Sequence, residues 1–269
     1  MPAFERDGIR INYEVHGTGE PLLMVMGLGG SLEGWRYQVP ELARDFQVIV
    51  FDNRGVGQST VPTDMSLYSM SLFADDAAAV LDDLGLERAH VFGISMGGMI
   101  SQHFALRHPQ RVRGLVLGCT TPAGPRAVQP EMWVLELLLA GSTKTARQAI
   151  EDSIAFNFSQ SFAESRPEII GEYIEHGLAQ RMPPVGFAGQ WQAILAHETY
   201  HDLGKIDAPT LVQHGTADAL VPFANGQLIA ESIAGARLEP IDGAGHVYFI
   251  EQAPLVNASV RAFLQGLDR

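Results

Sequence analysis

Short apolar segments alternate with helical segments along the first 120 residues of the chain. Each apolar segment is nearly continuous, which is typical of a strand that is buried on both faces of a parallel sheet. The first forty residues begin with a strand pair of alternating hydrophobicity. The apolar segments are PLLMVMG, QVIVFD, AHVFGI and VRGLVLGC, and the helical segments between them are SLEGWRYQVPELARDF, SLFADDAAAVLDDLGL and the run from Met96. This order predicts an α/β fold with a parallel sheet.

The alternation stops after Cys119 and resumes near residue 208 with APTLVQHG, followed by the helix PFANGQLIAESI, the strand ARLEPID and a last helix from about Ile250 to Leu267. Residues 120–207 are rich in helix formers and prolines and show no strand pattern. We therefore predict a core domain from residues 1–119 and 208–269, and a helical cap from residues 120–207. Because insertions after strand ends lie over the ligand site of open parallel sheets, the cap is a candidate lid.

One serine lies at a junction between a strand and a helix. The segment GISMG, Gly93–Gly97, has the G-x-S-x-G pattern and falls between the apolar strand His90–Ile94 and a helical run that begins at Met96. A serine on so sharp a turn has a strained backbone, and the residues two positions away must lack a Cβ so that strand and helix can pass closely. Ser95 is thus a candidate nucleophile. The alternative is ordinary small-residue packing at a helix start.

A serine nucleophile needs a histidine base and a carboxylate that orients it. His246 follows the last predicted strand in a loop that contains Gly243 and Gly245, and Asp218 follows the strand after the cap. The order Ser95, Asp218, His246 is the one expected for this architecture. Asp218 could instead be only a turn former, and we interpret His214 as a core residue or a second-layer neighbour of the site.

Two backbone N–H groups are candidates for stabilising an oxyanion. Met96 follows the serine at the positive end of a helix dipole. The second donor is expected from the loop VMGLGGS, where glycines at positions 27, 29 and 30 allow a tight fold, and we assign it to Leu28. The alternative is a glycine-rich turn without a functional role.

A second motif, HETYH at His197–His201, matches the zinc-protease pattern H-E-x-x-H. Catalytic zinc needs a third protein ligand, and the motif belongs inside a long helix, whereas DLGKIDAP interrupts the chain directly after it. We therefore expect neither a metal nor a cofactor.

The motifs GISMGG, FDNRGVGQS, VMGLGGS, HGTADALVP and GAGH together resemble the α/β-hydrolase superfamily, and specifically its small bacterial esterases and lactonase-like members. The resemblance covers nearly the whole chain outside the cap. It implies an eight-stranded, mostly parallel sheet flanked by helices, with a helical cap inserted after the sixth strand. It also implies a Ser95–Asp218–His246 triad, oxyanion donors at Leu28 and Met96, and a DNRGVGQS stretch that shapes the turn beside the site. Many members carry His-Gly before the oxyanion loop, where this chain has Met26 and Gly27.

The function expected from this resemblance is hydrolysis of carboxylic esters through an acyl-enzyme. Opening of lactones or enol-lactones and cleavage of C–C bonds use the same residues, and a non-catalytic small-molecule receptor is an alternative of another class. The cap has no basic cluster and is rich in large apolar residues, which favours small to medium hydrophobic ester or lactone substrates. These residues are Met132, Trp133, Leu135, Leu137, Phe156, Phe158, Phe162, Met182, Phe187 and Trp191.

The net charge and the cysteine content indicate which binding partners and which cellular compartment to expect. The chain has 18 basic and 31 acidic residues, a net charge of −13, which disfavours nucleic acid and anionic membranes as partners. It has a single cysteine, its first residues lack the apolar segment of a secretory signal, and no run approaches the ~18 apolar residues of a membrane span. We expect a cytoplasmic protein, and leave open whether it forms a homodimer.

Overall fold

The computed structural model describes residues 3–140, 143–180 and 182–267. Residues 1, 2, 141, 142, 181, 268 and 269, which fall within the predicted core and cap domains, lie outside the described residues. Eight strands form one sheet, with the order β1-β2-β4-β3-β5-β6-β7-β8. The strands are β1 Ala3–Arg6, β2 Ile9–His16, β3 Glu20–Val25, β4 Phe46–Phe51, β5 Ala89–Ile94, β6 Val112–Gly118, β7 Thr210–Gly215 and β8 Arg237–Ile241.

The sheet is mostly parallel, as predicted. β2 pairs antiparallel with both β1 and β4. All other neighbouring strands in the sheet, in the order β4-β3-β5-β6-β7-β8, pair in parallel. The central strands β5 and β7 are buried along their whole length, which explains their continuous apolar sequences. All parallel strands therefore end at the same edge, where the loops that carry the candidate site residues begin.

Helices cover both faces of the sheet. They are α1 Val39–Leu42, α2 Met70–Asp83, α3 Met96–Arg107, α4 Met132–Ala140, α5 Ala146–Asn157, α6 Gln160–Ser165, α7 Pro167–Ala179, α8 Pro184–Leu195, α9 Ala224–Ser232, α10 Tyr248–Glu251 and α11 Ala253–Leu267. Apolar side chains of α2, α3 and α9 form one core cluster with one face of the sheet. Side chains of α1, α10 and α11 form a second cluster on the opposite face. None of the helices in the described part of the chain has the length and apolar character needed to cross a membrane.

Two predicted helices are shorter than their sequence patterns indicate. The segment SLEGWRYQVPELARDF forms a 3₁₀ turn at Leu32–Trp35 and then only the single turn of α1. Pro40 has no N–H, so a helix that began at Leu32 could not continue through it. The predicted last helix is likewise divided into α10 and α11, and Pro254 is the second residue of α11.

The insertion between β6 and β7 is helical. Its described residues include the five helices α4–α8 and a 3₁₀ turn at Leu203–Lys205, with no strand. Several of the large apolar residues of the cap face solvent, including Met132 at 67% exposed and Met182 at 42% exposed. Others, such as Phe156 and Phe158, are buried. We refer to residues 120–207 as the cap, although its boundary as a separate domain stays a prediction.

A buried ion pair fixes the loop after β4 to the helix behind it. The guanidinium of Arg54 makes two hydrogen bonds of 2.6 Å to the carboxylate of Asp76 on α2, and both side chains are nearly inaccessible to solvent. A buried pair of this kind is costly to break, because the remaining charge has no partner.

We expect Asp76→Ala to lower the free energy of unfolding by about 3–5 kcal/mol, because it leaves the Arg54 charge buried and unpaired. Asp82 on the same helix pairs with Arg111 at the surface, so Asp82→Ala should cost less than about 1 kcal/mol. Urea denaturation of both variants measures the two costs. Equal losses would show that burial of the Arg54 pair does not decide the stability.

Candidate active site

Ser95 lies on the predicted sharp turn between β5 and α3. Its backbone has φ 54° and ψ −123°, a conformation that a residue with a Cβ rarely adopts and that costs on the order of 1–3 kcal/mol. The Ser95 N–H donates a 2.9 Å hydrogen bond to the carbonyl oxygen of Gly118 at the end of β6. The neighbouring strand therefore helps to hold the serine in its strained conformation.

The two glycines of the motif allow backbone segments to approach each other. A Cβ at Gly97 would lie 2.0 Å from the carbonyl oxygen of Val25 in β3. A Cβ at Gly93 would lie 2.3 Å from the carbonyl oxygen of Gly97. Neither contact is sterically tolerable, so the spacing G-x-S-x-G follows from how closely α3 passes the strands.

The structure brings Ser95, His246 and Asp218 together, although 151 residues separate the serine from the histidine. The His246 Nε2 atom is 3.0 Å from Ser95 Oγ, and its Nδ1 atom is 2.9 Å from Asp218 Oδ2. His246 and Asp218 are buried, whereas Ser95 is partly exposed. Because a carboxylate only accepts hydrogen bonds, Nδ1 carries the imidazole proton, and the Nε2 lone pair faces the serine hydroxyl.

The surroundings of Asp218 favour its ionised form. Burial by itself would raise the pKa of the Asp218 carboxyl, but the electrostatic interaction with His246 and hydrogen bonds from His214 and His246 together lower that pKa below its usual value. The backbone N–H groups of Leu220 and Val221 also donate to Oδ1, at 3.0 and 2.8 Å. The carboxylate is thus fixed and charged, as required of a group that orients an imidazole.

His214 contacts the same carboxylate oxygen as His246. Its fully buried side chain places Nε2 at 3.2 Å from Asp218 Oδ2 and at 2.7 Å from the carbonyl oxygen of Val221. Both partners are acceptors, so Nε2 carries a proton. This position agrees with the interpretation of His214 as a second-layer neighbour of the site.

The loop from Gly27 to Leu32 lies directly beside Ser95. A Cβ at Gly27 would be 3.1 Å from the Cβ of Ser95. Four successive N–H groups of this loop donate to protein acceptors, and no acceptor for the Leu28 N–H is present among the described residues. The four bonds are Gly29 to Gln190 Oε1 at 2.8 Å, Gly30 to Gly27 O at 3.2 Å, Ser31 to Gln180 Oε1 at 3.3 Å and Leu32 to Asp52 Oδ1 at 2.8 Å.

Met96 is the first residue of α3, so its N–H belongs to the first turn, where helical N–H groups lack partners within the helix. Among the described residues, the loop beside the serine thus offers an N–H without a protein acceptor, and the N-terminus of α3 follows the serine directly. This arrangement can accept negative charge that develops on an oxygen bound at Ser95.

Residues of the stretch DNRGVGQS form hydrogen bonds at both ends of the loop that lies beside Ser95. Asn53 Nδ2 donates a 3.0 Å hydrogen bond to the carbonyl oxygen of Met26. Asp52, which accepts from Leu32, also accepts from Gln58 N–H at 2.9 Å and from Asn12 Nδ2 at 3.0 Å. This agrees with the role in shaping the turn that the resemblance implies.

Sequence reasoning did not identify the two cap glutamines that bind the loop, Gln180 and Gln190. Their positions along the chain carry no motif, because the contacts join residues about 150 positions apart. The available signal concerns Gln190 alone, as a glutamine within the mostly apolar segment PVGFAGQWQAIL.

The HETYH segment is a turn and not a helix. The buried ring of His197 is bonded on both sides, with Nε2 at 3.0 Å from Thr121 O and Nδ1 at 3.3 Å from His103 Nε2. The side chain of His201 is 70% exposed. Within the described ranges, no three His, Cys, Asp or Glu side chains are grouped in a way that could hold a metal ion.

Comparison with known proteins gives consistent results. A family model described as the alpha/beta hydrolase fold matches residues 20–253. The 2-hydroxymuconate semialdehyde hydrolase of Pseudomonas sp. strain CF600 is 33% identical, over 97% of this chain and 92% of that protein. The crystal structure of the enol-lactonase from Burkholderia xenovorans superposes with a TM-score of 0.87 at 27% identity, covering 98% and 100% of the two chains. A thermophilic esterase from Thermogutta terrifontis gives a TM-score of 0.84 at 28% identity, covering 98% and 97%.

The buried His197 predicts a pH-dependent stability. Burial lowers the pKa of His197 from 6.5 to about 4, so between these values the unfolded chain binds more protons than the folded one. The free energy of unfolding therefore falls as the pH is lowered through this window, by about 3 kcal/mol for this residue. We expect His197→Gln to reduce the loss of stability between pH 7 and pH 4, as measured by urea denaturation.

The exposed histidine of the same motif is the control. His201→Gln should show the pH dependence of the unaltered protein. If His197→Gln kept the full loss of stability on acidification, protonation of His197 would not be its cause.

Proposed function

The chain belongs to the α/β-hydrolase family and is a hydrolase, and from this premise we propose that it cleaves carboxylic esters through an acyl-enzyme intermediate. The observation that carries the proposal is the hydrogen-bonded series from Ser95 Oγ through His246 to Asp218. A serine hydroxyl at its usual pKa is a weak nucleophile, and this series supplies both its base and the group that orients the base.

The proposed reaction has two halves. Ser95 Oγ attacks the ester carbonyl carbon while its proton passes to His246 Nε2, and the carbonyl π electrons move onto the oxygen. The tetrahedral species then expels the alcohol, which receives the proton from His246, and the acyl group stays on Ser95. A water molecule attacks the acyl-enzyme with His246 again as the base, and this step releases the acid and restores the serine.

The developing oxyanion would lie between the N–H groups of Leu28 and Met96. The support for Leu28 is that the next four N–H groups of the loop have protein acceptors, whereas none of the described residues accepts from the Leu28 N–H. The positive end of the α3 dipole adds to the Met96 donor. Loss of one such donor in other enzymes costs about 3 kcal/mol of transition-state stabilisation.

Lactone and enol-lactone opening is a second candidate. It breaks the same acyl C–O bond, and the similarity to the enol-lactonase from Burkholderia xenovorans favours it. Cleavage of a C–C bond beside a carbonyl is a further reaction that the same three side chains could support. Ratios of kcat/KM for a linear ester, a lactone of equal carbon number and a vinylogous 1,5-diketone would rank the three bonds.

We propose a neutral, hydrophobic substrate of small to medium size. The cap presents many apolar side chains, and buried ones such as Phe158 pack next to the His246 loop, since a Cβ at Gly245 would lie 2.7 Å from the backbone of Phe158. Each further methylene buried in such a site adds only about 0.8 kcal/mol of binding energy. Selectivity among neighbouring chain lengths should therefore be weak.

We expect Ser95→Ala to abolish turnover of p-nitrophenyl butyrate and labelling by a p-nitrophenyl phosphonate, because the attacking oxygen is removed. The free energy of unfolding should change little, since alanine also carries a Cβ and keeps the same backbone strain at position 95. Rates of p-nitrophenol release and intact-protein mass spectrometry give the two readouts.

Ser101→Ala is the matched control, because Ser101 is a buried serine on α3 whose Oγ donates to Gly97 O and does not contact His246. It should retain both turnover and labelling. Substantial turnover by Ser95→Ala would contradict the proposal, and ligand-induced stabilisation of the unaltered protein without any turnover or labelling would favour a receptor.

A further inference from the structure

Gln190 on cap helix α8 joins two loops of the core. Its side-chain Oε1 accepts a 2.8 Å hydrogen bond from the N–H of Gly29, and its Nε2 donates a 3.0 Å hydrogen bond to the carbonyl oxygen of Arg54. The residue is 1% exposed. Both ends of the amide are therefore satisfied by backbone groups of the core, and water cannot replace them without displacement of the helix.

The first turns of α8 are in direct backbone contact with the core. A Cβ at Gly186 would lie 2.0 Å from the carbonyl oxygen of Gly55, and a Cβ at Gly189 would lie 2.5 Å from the ring of Tyr68. Positions 186, 189 and 190 share one face of the helix. The two glycines thus bring α8 close enough for the short Gln190 side chain to reach the core loops.

Gly29 receives a second contact from the cap. It has φ +70°, and a Cβ on it would lie 2.2 Å from the sulfur of Met182. The peptide between Leu28 and Gly29 is consequently bonded by Gln190 and covered by Met182. The next peptide toward the N-terminus carries the Leu28 N–H, the donor that we assign to the oxyanion.

We propose that Gln190 is a positioning residue that couples the cap to the oxyanion hole. The inference rests on the proposed function, because it concerns the donor at Leu28. Gln190 touches neither the substrate nor Ser95. It fixes the orientation of the Leu28–Gly29 peptide, and through it the direction in which the Leu28 N–H points.

A consequence is that the oxyanion hole is complete only when the cap is seated. If α8 lifts from Gly55, the Gly29 N–H loses its acceptor, and the loop between Gly27 and Ser31 keeps its bonds within the core and the Ser31 bond to Gln180 at the end of α7. The contact between α8 and the core would then have two states. When it is open, a substrate can enter, and when it is closed, the Leu28 N–H is in position. Lid closure of this kind commits a substrate to reaction.

The test replaces Gln190 by methionine, which has a similar length and neither donates nor accepts strongly. We expect Gln190→Met to lower kcat for p-nitrophenyl butyrate by about ten- to a hundredfold with KM changed by less than about threefold, because the loss concerns a group used in the transition state. Affinity for a trifluoromethyl ketone, which forms a tetrahedral oxyanion with serine, should fall by a similar factor. Affinity for the matching methyl ketone should change little.

Gln192→Met is the matched control. Gln192 lies on the same helix and also bridges cap to core, since its Nε2 donates to Met65 O at 3.3 Å, but it does not contact the oxyanion loop. Gln192→Met should keep kcat and the affinity for the trifluoromethyl ketone. If Gln190→Met proves insoluble, Gln190→Ala and Gln192→Ala form a second pair with the same expected contrast.

The rate of Ser95 labelling by the phosphonate separates this inference from the proposed function. Labelling also places charge on an oxygen in the oxyanion hole, and it needs no turnover. If the unaltered protein is labelled and Gln190→Met is labelled equally fast, or if the two methionine variants lose activity alike, the coupling is wrong and the serine mechanism stands. If the unaltered protein is neither labelled nor active on esters, the proposed function is wrong, and the role of Gln190 is overturned with it.

Discussion

The close approach of backbone segments around Ser95 is the constraint on which the site depends. The serine can stand above the sheet edge only because α3 passes β3 at a distance that excludes a Cβ at Gly97. The strained backbone at Ser95 costs on the order of 1–3 kcal/mol, and the hydrogen bond to Gly118 O together with the buried packing of α3 offsets it. A looser turn would be more stable locally, but it would withdraw the hydroxyl from His246.

The charged part of the site depends on the same sheet edge. β7 and β8 end side by side, so the loops that carry Asp218 and His246 emerge as neighbours. A Cβ at Gly215 would lie 2.3 Å from the carbonyl oxygen of Gly245, which shows how tightly the two loops are packed. The buried carboxylate is tolerable because two backbone N–H groups and two histidines contact it, and a buried charge with fewer partners would have taken up a proton.

The parallel sheet and the turn at Ser95 were predictable from the sequence, because each depends on a pattern of neighbouring residues. The continuous apolar strands gave the parallel sheet, and the glycine spacing around Ser95 reports a steric requirement that any such turn must meet. The error at the segment before β4 has a local cause too, since Pro40 stops a helix that the apolar spacing alone would continue. Gln190 could not be predicted in the same way, because its two partners are fixed by how the cap rests on the core and not by any nearby residue.

The loop between Gly27 and Leu32 is supported by hydrogen bonds from both the core and the cap. Asn53 and Asp52 belong to the core and hold Met26 O and the Leu32 N–H at the two ends of the loop. The middle of the loop, by contrast, is bonded to Gln180 and Gln190 of the cap. In this chain the core therefore holds the two ends of the loop, while the cap bonds the peptides next to the proposed Leu28 donor. Changes in the cap can then alter both the shape of the pocket and the alignment of a catalytic donor, so that substrate choice and rate are physically linked.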